Sequence, residues 1–323
     1  MEKDLIPVIS IVGPTASGKT DLAIDLALKF GGEIVSADSM QIYKEFEIST
    51  AKPNLIQRSK VKHHLIDILH VSEEFSVAQY KDLAKKAIMD IHGRRKLTFL
   101  VGGTGLYIDS LLKNIEFENR NTSDEKIRKE LSEKNNLELF EILKKIDPKS
   151  AQNIHINNKK RIIRAIEFFY TSGYPISIQV ENSKNIVSPF KVCKIGLNFK
   201  NREILYGRIN MRVEKMFELG LVKEVENISK NINLSKTANG AIGYKEILEY
   251  INGKADLDTA KENLKKATRN YAKRQITWFK RDPEINWIYP DDMESYDKIL
   301  NTAEKIIKNF INYKGHVYEK IKL

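Results

Sequence analysis

The sequence predicts an α/β fold: a phosphate-loop core around a parallel sheet, with a mostly helical insertion domain and a helical C-terminal region. Three observations predict it. The stretch GPTASGKT, Gly13 to Thr20, fits the pattern G-x-x-x-x-G-K-[ST] at every fixed position. It lies between the apolar run Ile6 to Val12 and a helical spacing of Leu22, Leu26, Ala27 and Phe30, the strand-to-helix turn on which such a loop works. Two more short apolar runs, Glu33 to Ala37 and Leu97 to Val101, open into polar or glycine-rich turns, as strands do when they meet a ligand at their carboxyl ends. From about Glu116 to Ser188 the chain turns polar and dense in Lys, Glu and Asn, with apolar residues at helical spacing, which marks an insertion. The expected division is 1–115 for the first part of the core, 116–190 for the insertion, 191–290 for the second part of the core with basic helices, and 291–323 for a helical tail.

The loop carries the first chemistry. Its glycines, Gly13 and Gly18, let the backbone of Pro14, Thr15, Ala16 and Ser17 curl until successive N–H groups point inward. The helix N-terminus adds partial positive charge, Lys19 reaches a distal phosphate, and the Thr20 hydroxyl can ligate Mg²⁺. A diphosphate or triphosphate is implied. At the end of the next strand stands Asp38, followed by Ser39, Met40, Gln41, Ile42 and Tyr43. Three roles for Asp38 compete: an outer-sphere Mg²⁺ partner, a general base for a nucleophile attacking beside the phosphates, and a helix N-cap. The pair His63 and His64 invites a metal reading, but adjacent residues point apart and no third ligand lies nearby, so a hydrogen-bonding role is expected.

Phe75 to Ile91 has helical spacing, and Leu97 to Val101 opens into Gly102, Gly103, Thr104 and Gly105. The glycines are expected to admit a ligand closely, and Thr104 either offers it a hydroxyl or caps the following helix. In the insertion, Leu137, Phe140, Ile142 and Leu143 suit one amphipathic helix and Arg161 to Tyr170 a second, whose Lys160 and Arg164 share a face that meets phosphates or solvent. Val192 to Phe199 returns to strand. The helix after it buries Leu205, Ile209, Val213, Met216 and Phe217 and leaves Arg208 and Arg212 one turn apart, either to clamp an anion or to pair with surface glutamates.

The chain holds 54 Lys plus Arg against 43 Asp plus Glu, a formal charge of +11 that favours an extended polyanion as partner. Leu264 to Arg281 locates part of it. Lys265, Lys266, Arg269, Lys273, Arg274, Lys280 and Arg281 occur there without an acid and interleave with Tyr271, Trp278 and Phe279, the usual mixture for RNA contact. Leu264, Ala267, Tyr271 and Trp278 are expected on its packed face. One cysteine, Cys193, rules out an intramolecular disulfide and suits a reducing compartment. The start MEKDLIP lacks the regions of a signal peptide and no apolar run is long enough to span a bilayer, so a cytoplasmic protein, a monomer with no membrane contact, is expected.

Taken together, GPTASGKT, DSMQIY, TAKP, HHLID, GGTGLY, AIGYKE and TRNYAKRQITWFK stand in the order and spacing of the bacterial tRNA dimethylallyltransferases, which the chain resembles over roughly residues 5 to 290. The resemblance implies transfer of a dimethylallyl group from dimethylallyl diphosphate to N6 of the adenosine just 3′ of the anticodon, with Mg²⁺ as cofactor and the anticodon stem-loop as partner. It implies that Gly13 to Thr20 and Arg208 hold the diphosphate, that Asp38 is the general base on N6, and that Thr104 positions the amine. It places tRNA contacts at Asp38, Ser39, Met40, Gln41 and Thr104, at Arg128, Lys160, Arg161 and Arg164, at Gly240, Ala241, Ile242, Gly243, Tyr244 and Lys245, and at Lys273, Arg274, Gln275, Trp278 and Lys280. Two positions depart from the pattern: Lys160, where relatives often have Gln, and Gly240, where some have Arg. A small-molecule kinase and a non-enzymatic RNA-binding NTPase share the loop and are the alternative readings.

Overall fold

Short runs of β-branched and other apolar residues form the strands, and segments with three- and four-residue apolar spacing form the helices. The computed structural model of the chain describes residues 5–115, 124–184 and 186–312. The first eight residues of the expected insertion, 116–123, and the last eleven of the tail, 313–323, lie outside them. The chain divides into two units, one of residues 1–111 with 189–323 and one of residues 112–188.

The first unit begins with β1 (Ile6–Val12), α1 (Lys19–Lys29), β2 (Glu33–Ala37), α2 (Leu55–Lys60), the two-residue β3 (His63–His64), α3 (Val77–Gly93), β4 (Thr98–Gly102) and α4 (Gly105–Leu112). The second unit holds α5 (Glu125–Glu133), α6 (Asn136–Ile146), α7 (Pro148–Asn153), α8 (Lys159–Ser172) and α9 (Ile176–Lys184). The first unit then resumes with β5 (Phe190–Leu197), α10 (Arg202–Glu218), α11 (Leu221–Asn231), α12 (Tyr244–Ile251), α13 (Leu257–Phe279), β6 (Asn286–Ile288) and α14 (Tyr296–Asn312).

The six strands form one parallel sheet in the order β3-β2-β4-β1-β5-β6. Strands of a parallel sheet are covered on both faces, which is why β1 and β4 read as nearly continuous apolar runs. One side of the core joins Ile9, Ile11, Phe99 and Ile195 of the sheet to Leu22 and Leu26 of α1 and to Ile299, Ala303 and Ile307 of α14. The register decides where ligands meet the sheet. Val12 and Ala37 both pair with Gly102, so Gly13, Asp38 and Gly103 leave β1, β2 and β4 at the same level. Among the described residues, no helix is long and apolar enough to cross a membrane.

The second unit packs Leu131, Leu139, Leu143, Ile162, Ala165 and Ile166 into its own core. Leu137, expected inside, is 62% exposed. Asn135 caps α6 in a box with Glu138, and the helix then turns Leu139 and Leu143, four residues apart, inward instead. Glu167 is fully buried there and accepts from Arg128 Nε at 2.8 Å, Arg164 Nη1 at 3.3 Å and the Asp124 N–H at 3.1 Å.

α13 starts seven residues before Leu264, because Asp256 accepts the Thr259 N–H at 2.7 Å and so supplies an N-cap ahead of the basic run. Its buried positions are Ala260, Leu264, Ala272, Gln275 and Phe279. Tyr271 and Trp278, expected on the packed face, are half-buried at its margin.

Edge strand β3 is anchored by charge. Glu33, 2% exposed at the start of β2, bonds Lys96 Nζ at 2.9 Å, His64 Nε2 at 2.8 Å and both terminal nitrogens of Arg94. Arg94 first, with Lys96 and His64, holds its carboxyl well below the usual range against the opposing effect of burial. A depressed carboxyl pKa contributes stability that is present above its unfolded value near 4.3 and lost as pH falls toward the folded one. Glu33→Ala is therefore expected to lose about 1–3 kcal/mol in urea unfolding at neutral pH. The gap to wild type is expected to narrow steadily as the pH is lowered below about 4.

Candidate active site

The phosphate loop leaves β1 in a conformation that its sequence permits. Gly13 has φ 153°, and a Cβ there would lie 2.5 Å from the Leu197 carbonyl oxygen. Gly18 has φ 90° and precedes α1 with no side-chain cap, so the first N–H groups of the helix face the loop. Lys19 Nζ donates to the Pro14 carbonyl at 3.2 Å, and Arg208 Nε to the Ala16 carbonyl at 2.8 Å. The Arg208 guanidinium also stands over the Phe199 ring, 5.6 Å from its centroid, which holds it across the loop. Among the described residues neither α10 arginine pairs with a glutamate, and Arg212 donates to the Thr50 carbonyl at 3.3 Å.

Charge at the loop is unusual. Burial pulls the Lys19 ammonium down to about 8, Arg212 adds to the effect, and Asp38 opposes it. Burial lowers the Arg212 pKa as well, again against Asp38. Two cations thus share a partly desolvated space with one carboxylate, a balance that a polyanion would reverse.

Asp38 forms an Asx turn, its Oδ1 accepting the N–H groups of Met40 at 2.9 Å and Gln41 at 3.3 Å. Thr104 stands just before α4, but its hydroxyl crosses to accept the Ser39 N–H at 3.1 Å, while its own N–H returns to the Ala37 carbonyl at 3.1 Å. Thr104 thus ties the turn after β4 to the turn after β2. Gln41 Nε2 and Arg212 both donate to the Thr50 carbonyl, at 3.4 and 3.3 Å.

Most of these groups line a cavity of about 290 Å³, while Thr104 and Arg208 stand behind its wall, bonded to Ser39 and to the loop. Thr15, Lys19, Thr20, Asp38, Ser39, Met40, Gln41, Gly240, Ala241, Ile242, Arg274 and Gln275 are all on its wall. The wall also includes Thr50, to which the sequence assigns no role, together with His63, weighed there for a metal and read as hydrogen-bonding, Arg212, left open between an anion clamp and a surface pair, and Tyr271, read both in the basic aromatic run and on its packed face. His63 Nδ1 donates to the Val61 carbonyl at 2.8 Å, and His64 is taken by Glu33. Among the described residues, no group of three His, Cys, Asp or Glu side chains could hold a metal on its own.

α13 closes the cavity in a way that changes two expectations. Gln275 is 5% exposed; its Oε1 accepts the Thr15 N–H at 2.9 Å and its Nε2 donates to the Gly103 carbonyl at 3.1 Å. Trp278 Nε1 donates to Asp109 at 3.0 Å. Both side chains, expected among the RNA contacts, make these hydrogen bonds within the protein, Gln275 on the cavity wall and Trp278 half-buried. The glycines after β4 are likewise explained by the helix and not by a ligand. A Cβ on Gly103 would lie 2.0 Å from Gln275 Nε2, and one on Gly105 would lie 2.3 Å from the Trp278 ring. Tyr244, 4% exposed at the start of α12, and Ala241, 1% exposed, also face inward.

The exposed cations of α13 are Lys266, Lys273 and Arg274, and Lys280 follows at its C-cap. Lys273 stands over the Tyr206 ring at 5.9 Å and Arg274 over Tyr271 at 5.7 Å. Lys265 belongs to a different set, since it pairs with Glu214 and Glu262, each at 2.7 Å. In the second unit Arg128 and Arg164 bond Glu167, as described above, and Lys160 is exposed at the start of α8 beside Arg161.

Comparison with known proteins agrees with this geometry. The IPP transferase family model matches residues 41–282. A tRNA dimethylallyltransferase of Thermoanaerobacter sp. (strain X514) is 45% identical over 313 residues, 95% of this chain and 99% of the relative. One of Acetivibrio thermocellus is 47% identical over 307 residues, 94% and 98% of the two chains. Among solved structures, the full-length tRNA isopentenylpyrophosphate transferase of Bacillus halodurans is 39% identical with a TM-score of 0.70, covering 96% of this chain and 100% of that one. A eukaryotic dimethylallyltransferase acting on tRNA is 29% identical with a TM-score of 0.78, covering 94% and 80%. The chain belongs to the IPP transferase family, that of the bacterial tRNA dimethylallyltransferases.

Proposed function

We propose that this cavity transfers a dimethylallyl group from dimethylallyl diphosphate to N6 of the adenosine 3′-adjacent to the anticodon in tRNA, releasing diphosphate. The observation that carries the reading is the meeting of the phosphate loop's Thr15, Lys19 and Thr20 with Arg212, Arg274 and a single carboxylate, Asp38, in one cavity, with Arg208 bonded to the same loop and a helix with exposed cations above. A small-molecule kinase would need the loop but not that helix, and family membership removes both it and the NTPase reading.

The chemistry follows from the charges. The bond between the allylic carbon and the diphosphate oxygen breaks with its electron pair going to oxygen, while the N6 lone pair forms the new N–C bond. Negative charge grows on the leaving group, where the loop N–H groups, Lys19, Arg208 and Arg212 stabilise it. The amine becomes acidic as its lone pair is used, and Asp38 takes its proton. Thr104 and Ser39, bonded to each other, flank that carboxylate and orient the base. To enter, the adenine leaves its stack, and the cations of α13 hold the surrounding backbone. Among the described residues, Lys160, Arg161, Lys245, Lys273 and Lys280, which the reading sets against tRNA outside the cavity, are exposed cations in no ion pair, whereas Arg128 and Arg164 are tied to Glu167.

Mg²⁺ fits the site as an ion carried in with the substrate. Thr20 offers a hydroxyl on the cavity wall beside Lys19, and Mg²⁺ commonly takes one or two protein oxygens with the rest from phosphates and water. Bound there, it would neutralise charge on the diphosphate. The working unit in this reading is a cytoplasmic monomer, which sedimentation of the purified protein checks. Mass spectrometry of anticodon-loop nucleosides after incubation with dimethylallyl diphosphate tests the activity itself; an unmodified adenosine next to the anticodon would refute it.

Three further outcomes are expected. Asp38→Asn should bind dimethylallyl diphosphate normally yet lose roughly 10²- to 10⁴-fold in single-turnover rate. If high Mg²⁺ restored the rate to near wild type, Asp38 would be a metal partner and not the base. Because free Lys19 titrates near 8 and bound diphosphate must raise that value, its contribution to affinity is complete below about pH 8 and declines as pH rises through it. Calorimetry at pH about 9 in buffers of different ionisation enthalpy should therefore show proton uptake on diphosphate binding, and Lys19→Ala should abolish both that uptake and turnover. Finally, replacing Lys273 and Arg274 together by Ala should weaken tRNA binding and reduce the slope of log affinity against log salt by about 1 to 2.

A further inference from the structure

α13 touches the phosphate loop and the loop after β4 through one stripe of side chains. Tyr271, Gln275 and Trp278 lie at four- and three-residue spacing, the interval that stacks residues on one helical face. Tyr271 lies against Thr104 and Gln275, and Trp278 packs on Gly105 and bonds Asp109. Between them the Gln275 amide joins the Thr15 N–H to the Gly103 carbonyl. The amide is almost fully buried, and the space beside Gly103 admits no Cβ, so the contact leaves little freedom.

We propose that Gln275 is a positioning residue for the diphosphate, not a contact for tRNA: it fixes the first turn of the phosphate loop, at Thr15, against the loop that begins at Gly103. The proposal rests on the functional reading above. Three physical points support it. Both polar ends of the side chain are satisfied within the protein, and a buried amide whose partners are fixed holds them in register more firmly than an apolar contact would. The N–H that it engages belongs to the loop that must present its amides to the diphosphate, and small displacements in such a cradle cost much of its stabilising effect. Its oxygen is neutral, so it can stand at the edge of an anion site without repelling the anion. The neighbouring Lys273 and Arg274 are exposed, Arg274 also reaching the cavity wall over Tyr271, so the exposed cationic face of α13 and its buried Gln275 amide are distinct.

This distinction predicts a separation in kinetics. Gln275→Met keeps length and burial but removes both hydrogen bonds. Its KM for dimethylallyl diphosphate should rise about 10-fold or more, and its affinity for inorganic diphosphate by calorimetry should fall to match, while its Kd for an anticodon stem-loop RNA stays within about 3-fold of wild type. The Thr15 amide should also exchange with deuterium faster. Gly103→Ala, whose Cβ must displace the Gln275 amide from the other side, should reproduce the same split, so the two variants stand in for each other if one fails to fold. A loss of RNA affinity above 10-fold with unchanged diphosphate binding would make Gln275 an RNA contact and overturn the proposal, as would two folded variants with wild-type diphosphate affinity. Wild-type protein that bound no diphosphate would instead overturn the phosphate-loop reading beneath it.

Discussion

The register of three parallel strands is the constraint on which the site depends. Because Val12 and Ala37 both pair with Gly102, the backbone leaves β1, β2 and β4 on one rung. The phosphate loop, the Asp38 turn and the glycine loop therefore emerge side by side without any further device to align them. A one-residue slip of β2 against β4 would place Asp38 on the wrong rung and break the bond between the Ser39 N–H and Thr104. Burial of all five residues of β2 makes such a slip costly, since it would turn Ile34 out of the core that it shares with α1. Stability of the sheet and placement of the carboxylate are thus one property.

The second constraint is electrostatic. Lys19 and Arg212 are both desolvated enough to lower their pKa values, and Asp38 counters them only in part. Bringing cations together out of water is unfavourable, and the fold tolerates it through hydrogen bonds to carbonyls: Pro14 for Lys19, Ala16 for Arg208 and Thr50 for Arg212. Carbonyl oxygens orient a cation without neutralising it. The positive charge is therefore held in place and left available for an anion, which is the state a leaving diphosphate needs.

Much of this was legible in the sequence. The phosphate loop, the β2 strand ending at Asp38 and the return to strand before α10 follow from short-range pattern, because strand and helix periods act over a few residues. What pattern does not carry is the partner of each residue. Gln275 and Trp278 read as part of a basic, aromatic RNA-facing run, but the helix turns them inward, and only the packing against Gly103 and Gly105 reveals it. Those glycines signalled close approach correctly; the approaching group is a helix instead of a ligand. Arg212 stayed open between an anion clamp and a surface pair because its neighbours at the cavity, Lys19, Asp38 and Thr50, are distant in sequence. Leu137 failed for a more local reason, since a shift of two positions decides which leucines of α6 face inward once Asn135 sets its start.

A comparison within the chain explains why the phosphate loop takes a neutral amide at its edge. The turn at 47–49 also presents successive backbone N–H groups, those of Glu47, Ile48 and Ser49, at 3.0, 2.6 and 3.0 Å from one carboxylate, Glu224 of α11. That cradle is filled by an anion of the chain itself and is therefore structural: it fixes the segment whose Thr50 carbonyl orients Arg212 and Gln41. A carboxylate at position 275 would satisfy the Thr15 N–H equally well. It would also face the Gly103 carbonyl with no donor, and it would compete with a diphosphate for Lys19 and the loop amides. Gln275 supplies the acceptor without the charge. Two similar backbone cradles thus diverge in role through one chemical difference, a carboxylate where the chain closes the cradle permanently and an amide where the cradle must receive an anion from outside.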